Sequence, residues 1–398
     1  YDRAPSAKSP HVSFFPHPCF FFMTVRFLEV LLDAPLPALD YILPEGETAE
    51  PGERVVVPLG PKRKDVGIVV RVKDSTEIEE SRMKPVISVL HDVPALRGEW
   101  LSFTRFAADY YIKNWGETAV AALPLFFRKV PGAKFQKSLE SFRAMHVKKT
   151  EPTPRVELND EQRAAVEAVV SREGYATYVL FGVTGSGKTE VYLHLIEGTL
   201  KKHPTGQVLL LVPEINLTPQ LEARVRGRFV DELVVTMHSN LTPNERAKSW
   251  LAVHEGRARV LVGTRMAIFT SFADLKLVLV DEEHDQSYKA GEGLRFSARD
   301  LAVKRAHDNN IACVLGSATP SLETWARAQA GVYRLLRLTH RAVRTASLPS
   351  MQLIDVSQRK PRVFAPEIKE AIDETLSRGE QVLVFINRRG YAPVITCT

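Results

Sequence analysis

The residues best equipped for chemistry form one run, Gly182-Val183-Thr184-Gly185-Ser186-Gly187-Lys188-Thr189. An apolar stretch, Tyr178-Val179-Leu180-Phe181, precedes it, and a segment of helical period from Glu190 to Leu200 follows. Strand, glycine turn and helix, in that order, make a phosphate-binding loop. The glycines let successive backbone N–H groups curl around a polyphosphate, where a Cβ would collide with the ligand or forbid the dihedral angles. Lys188 is expected to reach the β- and γ-phosphates, and the Thr189 hydroxyl to hold Mg²⁺.

A second group of residues says what is done with the nucleotide. The apolar run Leu275 to Val280 ends in Asp281-Glu282-Glu283-His284. Asp281, at a strand terminus, is placed to hold the Mg²⁺ hydration shell, and Glu282 to polarise the attacking water. His284 reads either as a packed histidine or as a coupling residue. Two more loops follow apolar runs: Gly263-Thr264-Arg265, and Gly316-Ser317-Ala318-Thr319-Pro320. Open α/β sheets bind ligands at such carboxyl ends of strands. The hydroxyls of Ser317 and Thr319 suit a γ-phosphate sensor. Gln162 offers an amide able to pair with the adenine edge.

These groups need a scaffold that brings strand ends together. From Val156 onward, short apolar runs at 177–182, 207–212, 233–237, 259–263, 276–280 and 311–315 alternate with helical-period segments. That alternation implies a doubly wound parallel sheet. Upstream, residues 23–93 read as a small β domain, with strand-like runs separated by Gly and Pro. Its basic run Lys62-Arg63-Lys64 is either a solvated face or a phosphate contact. Trp100, Phe103, Phe106, Ala107, Tyr110 and Tyr111 recur at helical spacing and predict a packing face. Thr118 to Phe127 reads as a second helix and Pro131 to Pro154 as a basic linker. Residues 151–340 then form the first lobe, and 341–398 begin a second, with a helix at 366–378 and a strand from Gln381 to Ile386.

The 398 residues, 44% hydrophobic and 25% charged, suit a multidomain globular chain. A net charge of +6 is compatible with nucleic acid without requiring it. Cys19, Cys313 and Cys397 lie too far apart for a disulfide framework or a complete zinc site, so a cytoplasmic location is expected. No apolar run approaches the roughly 18 residues of a membrane span, and no membrane partner is expected. Residues 1–22 read as a disordered or non-native leader, with Met23 as the expected start. Thr398 follows a strand-like run directly, and the chain reads as a fragment.

As an ordered set, GVTGSGKT, LVPEI-x-LTPQ (Leu211 to Gln220), VGTR, DEEH, GSATPS and INRRGYAP (Ile386 to Pro393) resemble a superfamily-two DNA helicase, more narrowly the family of primosomal protein N′, PriA. The resemblance implies an ATP-dependent 3′-to-5′ helicase that recognises stalled or collapsed replication forks and starts primosome assembly. It implies forked and single-stranded DNA, single-stranded DNA-binding protein and replisome-loading proteins as partners, in a bacterial, nucleoid-associated setting. Residues 23–93 then resemble a 3′-end DNA-binding domain, with Asp40, Gly60 and Lys84 in its pocket, and 94–150 a winged-helix-like segment with linker. Residues 285–299 resemble the family's aromatic-rich loop, in which Tyr288, Lys289, Arg295, Phe296 and Arg299 match, and Arg265 joins the same DNA face. Cys397 resembles the first ligand of two zinc ions that only the full-length protein would hold. The resemblance also implies RecA-like lobes, and later second-lobe motifs, an arginine finger among them, that these residues do not include. The fragment is therefore expected to bind ATP and forked DNA but to hydrolyse slowly and not to unwind. A DNA-binding scaffold that recruits replisome loaders, with ATP only modulating affinity, is the alternative. A P-loop NTPase without a nucleic-acid partner fits the motif set least well.

Overall fold

The computed structural model describes residues 26–147, 150–213, 219–341, 350–355 and 364–385. The chain divides into two compact units, Tyr1–Arg344 and Thr345–Thr398.

The first unit opens with strands β1 (Arg26–Leu31), β2 (Leu39–Leu43), β3 (Arg54–Leu59), β4 (Arg63–Lys73) and β5 (Ser88–Leu90). They pair antiparallel in the order β2-β1-β4-β3-β5. Alternation puts Leu28, Val30, Tyr41, Val55, Val57 and Val69 on one buried face. The Lys62-Arg63-Lys64 run is exposed, at the turn between β3 and β4.

Four helices follow: α1 (Gly98–Tyr110), α2 (Trp115–Ala122), α3 (Leu125–Arg128) and α4 (Phe135–Arg143). The aromatic stripe of α1 does pack, with Trp100, Phe103 and Ala107 fully buried, whereas Tyr110 at its end is 65% exposed. Pro124, which cannot continue a helix, separates α2 from α3 where one helix was expected. The expected linker contains α4, because Phe135, Leu139 and Phe142 recur at helical spacing and bury together with Phe126. Gly116 lets α2 meet the sheet, since a Cβ there would lie 2.2 Å from the Leu32 carbonyl oxygen.

The second half of the unit runs α5 (Asp160–Val170), β6 (Ala176–Gly182), α6 (Lys188–Lys202), β7 (Gln207–Leu211), α7 (Pro219–Arg228), β8 (Val234–Met237), α8 (Pro243–His254), β9 (Val260–Gly263), β10 (Leu275–Val280), α9 (Ala298–Asp308), β11 (Ala312–Ser317), α10 (Leu322–Gln329) and β12 (Arg334–Leu338). The seven strands are parallel in the order β12-β6-β11-β10-β7-β9-β8, the doubly wound arrangement that the alternation implied and the RecA-like lobe that the family resemblance implied. Both faces are covered, so β7 and β9 are buried at every position. In the second unit, α11 (Pro366–Ser377) starts on a proline, and the described residues 381–385 form no strand. Among the described residues, no helix is long and apolar enough to cross a membrane.

Polar groups in the core pin the small sheet and its helices to the parallel sheet. The Arg305 guanidinium, wholly buried, donates to Glu99 at 2.9 Å and to the Ile268 and Thr270 carbonyls, between the rings of Phe103 and Phe272. The Trp100 indole donates to the Phe269 carbonyl at 2.6 Å. Buried Arg54 pairs with Asp92 and donates to the Phe127 carbonyl, and the Phe127 ring lies 4.9 Å from that of Trp250. His254 stacks on Trp250 and bridges Ser271 Oγ at 3.0 Å and the Pro94 carbonyl at 2.8 Å. A carbonyl can only accept, so His254 carries its proton on Nε2 and Nδ1 accepts from the serine.

Burial pushes the His254 imidazole down from 6.5 to about 4. A depressed histidine contributes stability that is present above the unfolded value and lost as pH falls from 6.5 towards 4. Between about pH 7.5 and pH 5 this one group costs about 2 kcal/mol of unfolding free energy. Denaturant titrations at the two pH values should show that loss in the wild type and a smaller pH dependence, by the same amount, in His254→Gln.

Candidate nucleotide site

The order of the parallel sheet puts the ends of β6, β11, β10 and β7 side by side, with the phosphate-loop strand inside the sheet rather than at its edge. Gly185 and Gly187 have φ of 79° and 82°, left-handed values that favour glycine. Gly187 is the N-cap of α6, and no side chain caps that helix start. Its first N–H groups are therefore available to an anion. A Cβ at Gly182 would lie 2.4 Å from Ser186 Oγ, which is itself buried and unpartnered among the described residues. Val183, Thr184 and Thr189 complete the turn, Thr184 exposed and Thr189 half-buried at the helix start.

Lys188 is buried, its ammonium donating to the Gly182 carbonyl at 3.1 Å and lying 3.5 Å from Glu282 Oε1. The structure thus brings Lys188, Asp281 and Glu282 together across β11. Asp281 accepts from the Tyr192 hydroxyl at 3.0 Å, and its carbonyl accepts from Tyr288 at 2.6 Å. Burial, then the charge of Glu282, push the Asp281 carboxyl above the ordinary carboxylate range, opposed by the Tyr192 hydrogen bond and by Lys188. Two adjacent carboxylates, one lysine and an uncapped helix start fit a nucleotide phosphate chain with a divalent cation, which would supply the further positive charge.

His284, Ser317 and Thr319 also converge. His284 Nδ1 lies 2.8 Å from Ser317 Oγ and Nε2 lies 3.4 Å from Thr319 Oγ1, while the Thr319 N–H donates to Ser317 Oγ at 2.9 Å. Gln162 belongs to a capping box with Asn159, and its Nε2 donates to the Ser186 carbonyl at 2.8 Å. Both ends of that amide are thus engaged inside the protein, one of them on the phosphate-binding loop.

Two participants escaped sequence reasoning. Tyr192 lies one helical turn after Lys188, a spacing that puts both on one face of α6. Glu283 is wholly buried and accepts from Ser321 N at 2.6 Å, Thr324 Oγ1 at 2.9 Å and Arg299 Nη1 at 3.2 Å. Nothing in a run of three acids singles out which one turns inward.

The loop after this motif holds part of the expected DNA-contacting set inside the protein. Tyr288 and Phe296 are buried, the latter 4.9 Å from the Phe269 ring, because apolar rings gain more by joining that core than by facing water. Arg299 is held by Glu283 and Ser321. Both rings are thus turned into the core, and this guanidinium is engaged within the protein. What the loop does expose is Lys289 and Arg295, either side of a tip closed by Ala290 N donating to Phe296 O at 2.8 Å. Half-buried Arg265 donates to the Ser287 carbonyl at 3.2 Å at the foot of the loop.

In the small sheet, Lys84 Nζ donates to the Gly60 carbonyl at 2.9 Å, with Gly60 at φ 73°. Asp40 lies on β2, two residues before Ile42, whose N–H donates to the Lys84 carbonyl. Its carboxylate takes Lys73 at 2.7 Å and Thr76 at 2.6 Å. Cys397 lies outside the described residues, and among those residues no cluster could hold a metal through His, Cys, Asp and Glu alone.

Removing one partner of a buried ion pair leaves the other charge uncompensated, at a cost of about 3 kcal/mol. Glu283→Ala should therefore lower unfolding free energy by about that much, and Glu283→Ala with Arg299→Met by less than Glu283→Ala alone, read by denaturant titration.

Comparison with known proteins follows the same division. Residues 29–124 match the family model of the PriA 3′ DNA-binding domain, and residues 159–328 that of the DEAD/DEAH box helicase. The chain is similar to the replication restart protein PriA of Bacillus subtilis, 44% identical over 63% of this chain and 31% of that protein. It is 32% identical to the PriA of Haemophilus influenzae over 94% of this chain and 60% of that protein. Against the PriA of Rickettsia felis it is 34% identical, over 94% of this chain and 55% of that protein. The chain thus spans no more than 60% of the length of these three relatives. With a helicase domain behind a PriA-type DNA-binding domain, and this identity along nearly its whole length, the chain belongs to the PriA family of replication restart proteins.

Proposed function

We propose that this chain is the fork-binding and nucleotide-binding part of an ATP-dependent 3′-to-5′ DNA helicase that recognises stalled or collapsed forks and initiates primosome assembly. The observation that carries the reading is the meeting of Lys188, Asp281 and Glu282 at neighbouring strand ends, with His284, Ser317 and Thr319 bonded to one another beside them.

Magnesium and the triphosphate would supply an electrophilic phosphorus and draw off charge from the leaving group. The residues do the rest. Lys188 and the N–H groups at the start of α6 bind phosphate oxygens, and Asp281 and Thr189 bind the cation. Glu282, its carboxylate 3.5 Å from the Lys188 ammonium, orients a water and holds its proton. His284, Ser317 and Thr319 report the state of the site outward. Asp40, Gly60 and Lys84 receive a 3′ end of DNA, and Lys289, Arg295 and Arg265 face phosphates of a single strand. Primosome proteins and single-stranded DNA-binding protein are the proposed partners of the full-length protein, with zinc held by segments that include Cys397.

The test uses full-length protein. Lys188→Ala should lower single-strand-stimulated ATP turnover by about 10²-fold or more, with forked-DNA affinity within about threefold of wild type. Restart activity that survives this loss of turnover would favour the scaffold instead. Lys289→Ala with Arg295→Ala should weaken single-strand binding evenly across sequences and reduce the slope of log affinity against log salt by about 0.7 per lost phosphate contact. An unchanged slope would remove the loop tip from the DNA path.

A further inference from the structure

Glu161 has no part in the site above, yet it is among the most heavily bonded partly exposed side chains in the molecule. Its Oε2 accepts from the backbone N–H of Thr339 at 2.8 Å and of His340 at 3.3 Å. Its Oε1 accepts from the Thr339 hydroxyl and lies 3.1 Å from His340 Nδ1. Thr339 and His340 follow β12 directly and begin the segment that leads from the first unit towards the second. The last residue of β12, Leu338, pairs with Gly182, the first residue of the phosphate-binding loop. The segment therefore leaves the sheet level with the nucleotide site.

The other half of the observation is the neighbour of Glu161. Gln162 donates to the Ser186 carbonyl at 2.8 Å, within the phosphate-binding loop. Glu161 and Gln162 are consecutive in the first turn of α5, which the Asn159 capping box closes from both sides. A capped first turn is stiff, because its N–H groups are bonded and its entry angle is set. One end of this turn grips the outgoing segment and the other grips the loop that precedes Lys188. The Glu161 side chain is 29% exposed, so its bonds compete with water and can open in a working cycle.

We propose that Glu161 is a positioning residue that ties the outgoing segment, through Thr339 and His340, to the phosphate-binding loop, so that movement of either is felt by the other. This rests on the reading of the protein as a DNA-stimulated ATPase. Coupling of this kind is a ratio of affinities and is reciprocal between the two ligands. Sharing a turn is spatial evidence only, so the measurement must be of coupling itself.

Full-length wild type, Glu161→Ala, Glu161→Gln and Thr339→Val would be titrated with a non-hydrolysable ATP analogue, with and without oligo-dT, beside thermal melts. The wild type should bind the analogue more tightly with oligo-dT. Glu161→Ala should cut that tightening by about fivefold while its affinity without DNA and its melting temperature stay near wild type. Glu161→Gln keeps one oxygen for the two backbone donors and should retain more of the coupling than alanine. Thr339→Val should lose part of it, and the double change Glu161→Ala with Thr339→Val no more than Glu161→Ala alone. Unchanged coupling in Glu161→Ala beside a responsive wild type would overturn the role of Glu161 and leave the parent reading standing. So would a fall in analogue affinity without DNA that keeps step with a lowered melting temperature. A wild type indifferent to oligo-dT would overturn both.

Discussion

Two carboxylates cannot be held side by side at the end of a buried sheet without a counter-charge, and Asp281 and Glu282 are so held. Lys188 supplies that charge from another strand-helix turn, 3.5 Å from Glu282. The rest of the lobe follows from making this meeting possible. β11 lies between β6 and β10, so its end must be small enough for contacts to pass over it. Gly316 meets that need, since a Cβ there would sit 1.7 Å from the Tyr192 hydroxyl that bonds Asp281. The cost of the arrangement is visible in the Asp281 carboxyl, which burial and Glu282 push upward. A site that stores like-charge repulsion against one lysine is well suited to a ligand bringing both cation and phosphate.

The small sheet and its helices are bound to the lobe by buried polar contacts rather than by apolar packing alone. Arg305 with Glu99, Trp100 with Phe269 and His254 with Pro94 each join the segment 94–100 to the lobe, and Arg54 with Asp92 and Phe127 ties the small sheet to its own helices. Apolar faces can slide with little penalty, whereas a buried donor moved off its carbonyl is left unpaired. These contacts therefore set one docking geometry. Lys84 and Gly60 on the small sheet, and Lys289 and Arg295 on the loop, belong to the same compact unit.

The parallel sheet was legible because fully buried strands leave continuous apolar runs, and the nucleotide site because glycine, lysine and paired acids have few other uses at strand ends. His284 reads from sequence as either a packed or a coupling residue, and only the folded chain shows it bonded to Ser317 and Thr319. What escaped depends on orientation. β12, where Arg334 and Arg337 interrupt the leucines, is too charged to read as a buried strand, and α4 is too short and polar to stand out from a linker. Tyr288 and Phe296 carry the composition of a stacking platform, but only tertiary packing decides whether a ring faces DNA or the core. Glu283 is chemically identical to Glu282 in sequence, and its inward turn is set by the backbone.

That backbone is where the motif acquires its meaning. Glu282 has φ of 42°, a left-handed value rarely adopted outside glycine, asparagine and aspartate. Had the strand simply continued, residues 281 and 283 would share one face and 282 and 284 the other. The turn at Glu282 instead sends four consecutive side chains to four separate sets of partners. Asp281 meets Tyr192, Glu282 meets Lys188, Glu283 meets Arg299 with Ser321 and Thr324, and His284 meets Ser317 and Thr319. Strain of this kind costs of order 1–3 kcal/mol and persists only where its surroundings over-determine it. Here the Glu283 N–H is bonded to the Gly316 carbonyl and the Asp281 N–H to the Leu211 carbonyl, which clamps the turn on both sides. Through that one strained residue, the nucleotide end of the motif is mechanically continuous with Arg299 at the end of the exposed loop.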